Sequence, residues 1–255
     1  MGMEAREWCT MRLLFVADLH YSLKQFDWLL AQAGDFDLVV IGGDLLDLAS
    51  SLDADVQIAI LEKYLDLIRQ KTTLVVSSGN HDGDSRNEAD ESIAAWVRDA
   101  KDDGLHVDGD SFDVGGDTRI TVCPWWDGDL SRAELEAQLV SESAMLQGRR
   151  WIWIHHAPPQ GARTCWTGRK FIGDEALRAW IDRFQPAMVL SGHIHNSPFY
   201  AEGSWIDCIG STWVFNPGRQ LGAQPTTIIF DLVKLTAEWS SHEGHAVHDL
   251  RLAQS

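Results

Sequence analysis

Short, unbroken apolar runs alternate in the first half of this chain with stretches whose apolar positions return every three or four residues. Residues 12–17 (RLLFVA) read as a buried strand that runs directly into Asp18. Ser22 can cap a helix over 22–33, with Phe26, Leu29 and Leu30 on one face. Residues 38–41 (LVVI) form a second buried strand, stopped by Gly42-Gly43. The period over 53–69 predicts a helix whose stripe is Val56, Ile60, Leu61, Tyr64, Leu65 and Ile68. Residues 74–76 give a third strand, ending before Gly79. This βαβαβ order implies parallel pairing with right-handed crossovers.

The second half has shorter apolar runs. Residues 82–90 are polar and read as a loop, followed by a helix to about residue 100. The strands at 119–123 and 151–154 look more antiparallel, and between them Ser131-x-x-Glu134 reads as a capping box opening a helix to about 146. A helix over 174–184 leads to a strand at 188–190 and Gly192, and further strands are expected at 205–209, 212–215, 226–232 and 235–239. No repeat or linker divides the chain. The expectation is one α/β domain with two sheets over residues 11–240. Residues 1–10 would be an N-terminal extension and 241–255 a polar tail.

Length and composition add limits. The 255 residues suffice for one large core. No apolar run reaches the ~18 residues that a membrane span requires, and the first ten residues lack a signal-peptide core. A cytoplasmic protein without membrane contact is therefore expected. Lys and Arg total 21 against 38 Asp and Glu, a formal net charge of −17. That field repels phosphate backbones and anionic surfaces, which disfavours nucleic acid as a partner. Cys9, Cys123, Cys165 and Cys208 have neither CxxC nor regular spacing, so buried thiols are expected rather than a disulfide frame or zinc ribbon. His242, His245 and His248 sit in the polar tail and carry no argument for a metal box.

The candidate chemistry lies where strands end. Asp18-Leu-His20, Gly43-Asp44-Leu-Leu-Asp47, Gly79-Asn80-His81-Asp82, His155-His156 and Gly192-His193-Ile-His195 each follow an apolar run. Ligands of open α/β sheets bind at the carboxyl ends of strands, so these clusters should converge. Carboxylates, an amide oxygen and imidazoles suit borderline cations such as Mn, Fe or Zn. In Asp18-x-His20 two side chains two apart share a direction off an extended backbone, so both can grip one ion. His193 and His195 repeat that spacing. Asp44, with two free oxygens, can bridge two ions, and Gly43 and Gly79 allow close approach of the backbone.

This ordered set resembles the calcineurin-like metallophosphoesterase family, which includes purple acid phosphatases, cyclic nucleotide phosphodiesterases and nucleases. The resemblance runs from Asp18 to the turn Asn216-Pro217-Gly218. It implies a sandwich of two mixed β-sheets flanked by helices, with two divalent or trivalent metal ions at one edge. On that resemblance Asp18, His20 and His195 hold the first ion, Asn80, His155 and His193 the second, and Asp44 bridges. His81 corresponds to the family's histidine at the scissile phosphate, with Asp82 beside it as the other catalytic candidate, orienting a ring. Asp47 is expected either to orient His20 in the same way or to serve a turn. Both His155 and His156 could fill the family's position. Strand alternation does not decide; His155 follows the apolar run directly and is the expected ligand, leaving His156 as a substrate contact.

A water between the two ions would ionise near neutral pH and attack phosphorus in line. Arg163, Arg169 and Lys170 fall in 160–172, a basic segment without an acid in an acidic chain, and are candidate contacts for further substrate charge. Arg219 is a second basic candidate. Trp125-Trp126 either line the pocket or pack in the core. The expected activity is hydrolysis of a small phosphoester, a nucleotide being one candidate, by a phosphodiesterase or phosphatase. A nuclease and a non-catalytic scaffold are the alternatives.

Overall fold

Along Arg12–Val16 (β1) the side chains alternate between two apolar layers: Leu13 and Phe15 enter one cluster, Leu14 and Val16 another. The computed structural model describes residues 10–251, so all but Thr10 of the expected N-terminal extension, Cys9 included, lies outside the described residues. After β1 come α1 (Leu23–Gln32), β2 (Leu38–Gly42), α2 (Ala54–Arg69) and β3 (Thr73–Ser77). The expected loop and the start of the helix expected after it hold a small hairpin, β4 (Ser85–Arg86) with β5 (Ser92–Ile93), before a shorter α3 (Ala95–Asp99) and β6 (Leu105–His106). Then follow β7 (Ser111–Val114), β8 (Thr118–Val122), α4 (Asp129–Ser143), β9 (Arg150–Ile154), α5 (Glu175–Phe184) and β10 (Met188–Leu190). The chain closes with β11 (Ile206–Ile209), β12 (Thr212–Phe215), β13 (Thr227–Asp231), β14 (Thr236–Ser240) and β15 (His245–Asp249).

Two mixed sheets, ordered β15-β14-β13-β1-β2-β3-β6 and β11-β12-β10-β9-β8-β7, pack face to face. Between them lie Phe15, Val40, Ile120, Ile152, Ile154, Phe215 and Phe230. On the outer face of the first sheet Phe26, Leu61, Leu65 and Trp96 of α1–α3 cover Leu14, Val39 and Val76. On the outer face of the second, Leu135, Leu139, Leu177 and Ile181 of α4 and α5 cover Trp151, Trp153 and Val189. Each wholly buried Leu, Ile or Phe stabilises by roughly 1.5–3 kcal/mol, and three layers of them hold the sandwich.

Several expectations are corrected. β8 and β9, expected to be antiparallel, run parallel to each other and to β10, because α4 and α5 are crossovers on one face. Ser131 does not cap α4 but lies within its first turn; the free amides of Leu130 and Ser131 are met instead by the carboxylate of Glu91, 2.8 Å from each. Ser22 makes no side-chain cap on α1. The stretch 241–255 is not a tail throughout. β15 pairs with β14 along its length, Leu250 joins the core between the sheets, and His248 packs against Trp213. Among the described residues no helix is long and apolar enough to cross a membrane.

Parallel register places the chemistry. Val16, Ile41 and Val76 are laterally aligned in the first sheet, as are Ile154, Leu190 and Phe215 in the second. The loops after β1, β2, β3, β9, β10 and β12 therefore leave from one edge of the sandwich.

Candidate metal centre

Those loops are laced together by their own backbone. Asp18 N–H donates to Gly43 O (3.0 Å), His20 N–H to Asp44 O (2.9 Å) and Tyr21 N–H to Leu45 O (2.7 Å). The backbone turns left-handed at Asp18 (φ 57°), His20 (φ 42°), Asp44 (φ 54°) and His193 (φ 65°). Such conformations are strained for non-glycine residues and persist only where the surroundings enforce them, which is typical of functional sites. At Gly79 a methyl group would stand 2.5 Å from Asp44 N and closer still to Asp44 Oδ1. Gly43 has φ +94°, and a methyl there would lie 2.5 Å from His156 Nδ1.

The arrangement brings together two groups of donor atoms that share Asp44: Asp18, His20, Asp44 and His195, and Asp44, His156 and His193. In the first, His195 Nε2 lies 3.2 Å from Asp18 Oδ1 and 3.0 Å from His20 Nε2, while His20 Nε2 is 3.6 Å from Asp44 Oδ2. In the second, His156 Nε2 lies 3.2 Å from Asp44 Oδ2, and His193 Nδ1 meets Asn80 Oδ1 at 2.8 Å. His193 and His195 do not fall in one donor group as their spacing suggested. The left-handed turn at His193 sends them to different groups. Asp18 and His20 likewise converge through turned rather than extended backbone.

His156, not His155, enters the cluster. Its Nδ1 is tied to Gly42 O at 2.7 Å, which aims the buried Nε2, without a hydrogen-bond partner, at the carboxylates. His155 turns to the opposite face of the second sheet, where its Nε2 is 3.6 Å from Asp174 Oδ2. The reason is strand parity. His156 continues the Ile152 and Ile154 face between the sheets, while His155 continues the Trp151 and Trp153 face under the helices. The structure therefore places His156 among the donor atoms and His155 outside them, opposite to the places expected.

Asp82 is corrected as well. It is fully buried, and its oxygens are taken up by backbone amides: Oδ1 accepts from Leu45 N (2.8 Å) and Leu46 N (2.9 Å), Oδ2 from Gly79 N (2.7 Å). It staples the Asp44 loop to the Asn80 loop. Burial and the nearby Asp44 charge push its carboxyl up to about 7, against the pull of those amides. Asp47 is a turn residue that accepts Ala49 N–H at 2.9 Å. His81 does face the cluster, its ring edge-on to His20 with centroids 4.6 Å apart and its amide donating to Asp44 Oδ1 at 2.9 Å. On the far side, buried Asn216 reaches the carbonyls of Thr164, Gly192 and Ile194 within 3.0–3.1 Å and accepts Gly218 N–H, fixing the His193–His195 loop.

Arg163 is withdrawn from the expected substrate contacts. Its guanidinium closes on the carbonyls of Ala201, Glu202 and Gly203. Arg169 and Lys170 sit exposed on the turn bridged by Trp166 and Phe171 and do not line the cavity beside the centre. That cavity, about 500 Å³, is lined instead by Trp125, Trp126, Arg132, Ile172, Asp174 and His193. Arg132 and Asp174 escaped the sequence reading, since neither lies next to a strand-end cluster.

Electrostatics fit a cation. Burial lowers His20 to about 4 despite Asp44 and Asp18, and burial with the His156 charge lowers His193 to about 4, so both rings are neutral with free lone pairs. Burial would also depress His156, but the Asp44 and Asp18 carboxylates outweigh it and push that ring up to about 10. The same contact holds Asp44 well below the usual carboxylate range although burial opposes it. Buried carboxylates, an orphaned Nε2 and neutral imidazoles within ligand distance of one another are a donor set that fits borderline metal ions.

A sequence model of the calcineurin-like phosphoesterase family matches residues 11–197, well over half the chain. No curated protein matches it. Among solved structures, the protein TT1561 of Thermus thermophilus is similar at 13% identity, with 95% of this chain and 100% of that chain covered and a TM-score of 0.58. A dimetal phosphatase from Danio rerio gives 12% identity, coverage of 93% and 98%, and a TM-score of 0.57. Purple acid phosphatase PPD1 from yellow lupin seeds gives 15% identity and a TM-score of 0.58 over 94% of this chain and 53% of that one. At these identities the likeness to solved structures is one of fold.

Proposed function

Because this chain belongs to the calcineurin-like phosphoesterase family, we propose that it is a dinuclear metal-dependent hydrolase of small phosphoesters, nucleotides among them. The observation that carries this reading is the pair of donor groups sharing Asp44. Asp18, His20, Asp44 and His195 would hold one ion, and Asp44, Asn80, His156 and His193 the other, with Mn, Fe and Zn suited to such donors. Bound there, two cations would supply Lewis-acid stabilisation of phosphoryl oxygens and a more acidic nucleophilic water.

The chain's own residues do the rest. Asp82 and Asn216 keep the ligand loops in place from opposite sides. His81 faces the cluster from a partly exposed position, placed to give a proton to the departing alkoxide, a contribution of typically ~10²–10⁴-fold. Arg219, whose charge reaches the His20 ring and whose amide binds His195 O, is the basic side chain on the first ion's side. The net charge of −17 favours a small substrate over nucleic acid.

The test is metal analysis of purified protein together with hydrolysis of nitrophenyl phosphate and bis-nitrophenyl phosphate with added Mn²⁺. About two ions per chain and turnover of at least one ester are expected, the preferred ester separating phosphatase from phosphodiesterase. His156→Ala should lose the second ion and His155→Ala retain it. His81→Gln should keep both ions and lose turnover by ~10²-fold or more. Protein that takes up no metal and cleaves neither ester overturns the reading in favour of a scaffold.

A further inference from the structure

We infer that the cavity beside His193 takes the organic half of the phosphoester, and that this half is a flat, uncharged aromatic or heteroaromatic ring system. The inference rests on the phosphoesterase reading of the adjoining centre and adds the class of alcohol it releases.

The lining carries the argument. At about 500 Å³ the cavity falls within the ~300–1,000 Å³ of small-molecule sites. Most of the tryptophans are core residues; Trp96, Trp151, Trp153, Trp180 and Trp213 are all buried. Trp125 and Trp126 are only half-buried and present indole surface to the cavity. Trp126 is held in place by its Nε1–H, which donates to Asp174 Oδ2 at 2.8 Å. Trp125 connects cavity and centre, its ring 5.7 Å from that of His193 and 5.9 Å from that of His156. A ring stacked in the usual aromatic geometry on these indoles therefore stands within one ring's width of the ligand histidines, and its phosphoryl group reaches them.

Charge selects the kind of ring. Asp127, Asp174 and Glu175 line the cavity against one basic residue, Arg132, which lies over the Trp126 face (5.6 Å) and is already paired with Asp129 (2.7 Å). Burial would raise the Asp174 carboxyl, but the His155 ring, Leu177 N–H and Trp126 indole N–H outweigh it and keep it ionised. Such a wall repels a second phosphate and welcomes N–H donors on a heterocycle. The free cations of the neighbouring loop, Arg169 and Lys170, do not reach it.

The experiment uses the metal-loaded full chain and compares esters of whichever type it hydrolyses. Ring-bearing substrates are adenosine 5′-monophosphate and 1-naphthyl phosphate, or their methyl diesters. Ring-free controls are ribose 5-phosphate and glycerol 2-phosphate, and adenosine triphosphate tests the added charge. Ring-bearing esters should exceed ring-free ones in kcat/KM by about 5- to 150-fold, the range of one aromatic stacking contact. Adenosine triphosphate should fall below the monophosphate. Preference for the adenosine over the naphthyl ester would identify a nucleoside as the source of the ring, and the reverse an aryl alcohol.

Trp126→Ala should collapse the ring-bearing to ring-free ratio, and Trp126→Phe should restore most of it. An unchanged ratio in Trp126→Ala with a native melting profile, or a preference for ring-free esters, overturns the inference. Quenching of tryptophan fluorescence by adenosine and by 1-naphthol, with ribose as control, reads the cavity without turnover. Ring-dependent quenching in a protein that cleaves nothing would sink the phosphoesterase reading alone; absence of quenching in an active enzyme would sink the cavity inference alone.

Discussion

Replacing Asp82 by alanine separates a staple from a catalytic acid. The buried carboxyl accepts three backbone N–H groups, from Leu45, Leu46 and Gly79, and each would be left without a partner. An orphaned buried donor costs about 1–3 kcal/mol, so three set a floor near 3 kcal/mol. Part of the loss is offset because the wild-type carboxyl is itself buried at a cost, which shows as its rise to about 7. Near pH 4, the ordinary value of an unfolded aspartate, folded and unfolded chains both carry the proton and the offset is small. There the variant should unfold with a deficit of at least roughly 3 kcal/mol, or about 6–12 °C in Tm for a domain of this size. Urea and thermal unfolding of metal-free protein near pH 4 measure it, followed by metal titration and turnover near neutral pH. Metal affinity should also fall, because the Asp44 and Asn80 loops lose their common anchor. A variant within about 1 kcal/mol of wild type that binds both ions at native affinity yet loses ~10²-fold in turnover would refute the reasoning and return Asp82 to the chemistry.

Two further outcomes follow from the same loops. Asp108 is buried, its Oδ1 accepts Ser78 N–H at 2.9 Å and its Oδ2 has no partner; burial raises it to about 6. The unfolded chain then releases this proton first, so stability declines as pH rises from about 4 through 6 and stays reduced above, by roughly 3 kcal/mol at most. Asp108→Asn keeps the Ser78 bond without the charge and should be more stable by about 1–3 kcal/mol at pH 8, converging on wild type near pH 4; a difference independent of pH in urea unfolding would refute this. Gly79→Ala sets a methyl group against Asp44 N and Oδ1, and relief requires a shift of about 1 Å, which costs on the order of 10²-fold in turnover with weaker metal binding at both ions. Full activity in that variant would contradict the close approach.

The fold and most of the site were legible because both follow from where apolar runs stop. Strands buried on both faces read as solid runs, and in a parallel sheet their carboxyl ends share one edge, so residues such as Asp18, Asp44, Asn80 and His193 had to converge. What escaped depends on which way a side chain leaves the chain at that edge. The spacing of Asp18 and His20 implied a shared direction off a strand, yet the left-handed backbone at both positions does the aiming, and at His193 it sends neighbouring ligands to different groups. The His155–His156 choice turned on parity, and parity has meaning only once the Trp151 and Trp153 face is known to lie under α4 and α5. The sequence contains the alternation but not the identity of the layers, because tryptophan and isoleucine bury equally well against a helix or a sheet. Asp82 was misread for a related reason. A carboxylate two residues after Asn80 is available either to a histidine ring or to three backbone amides, and only the path of the Asp44 loop, brought alongside by the β2–β3 register, makes the amides the nearer partners. Local pattern therefore identifies which residues gather at the edge, and long-range packing decides what each one faces.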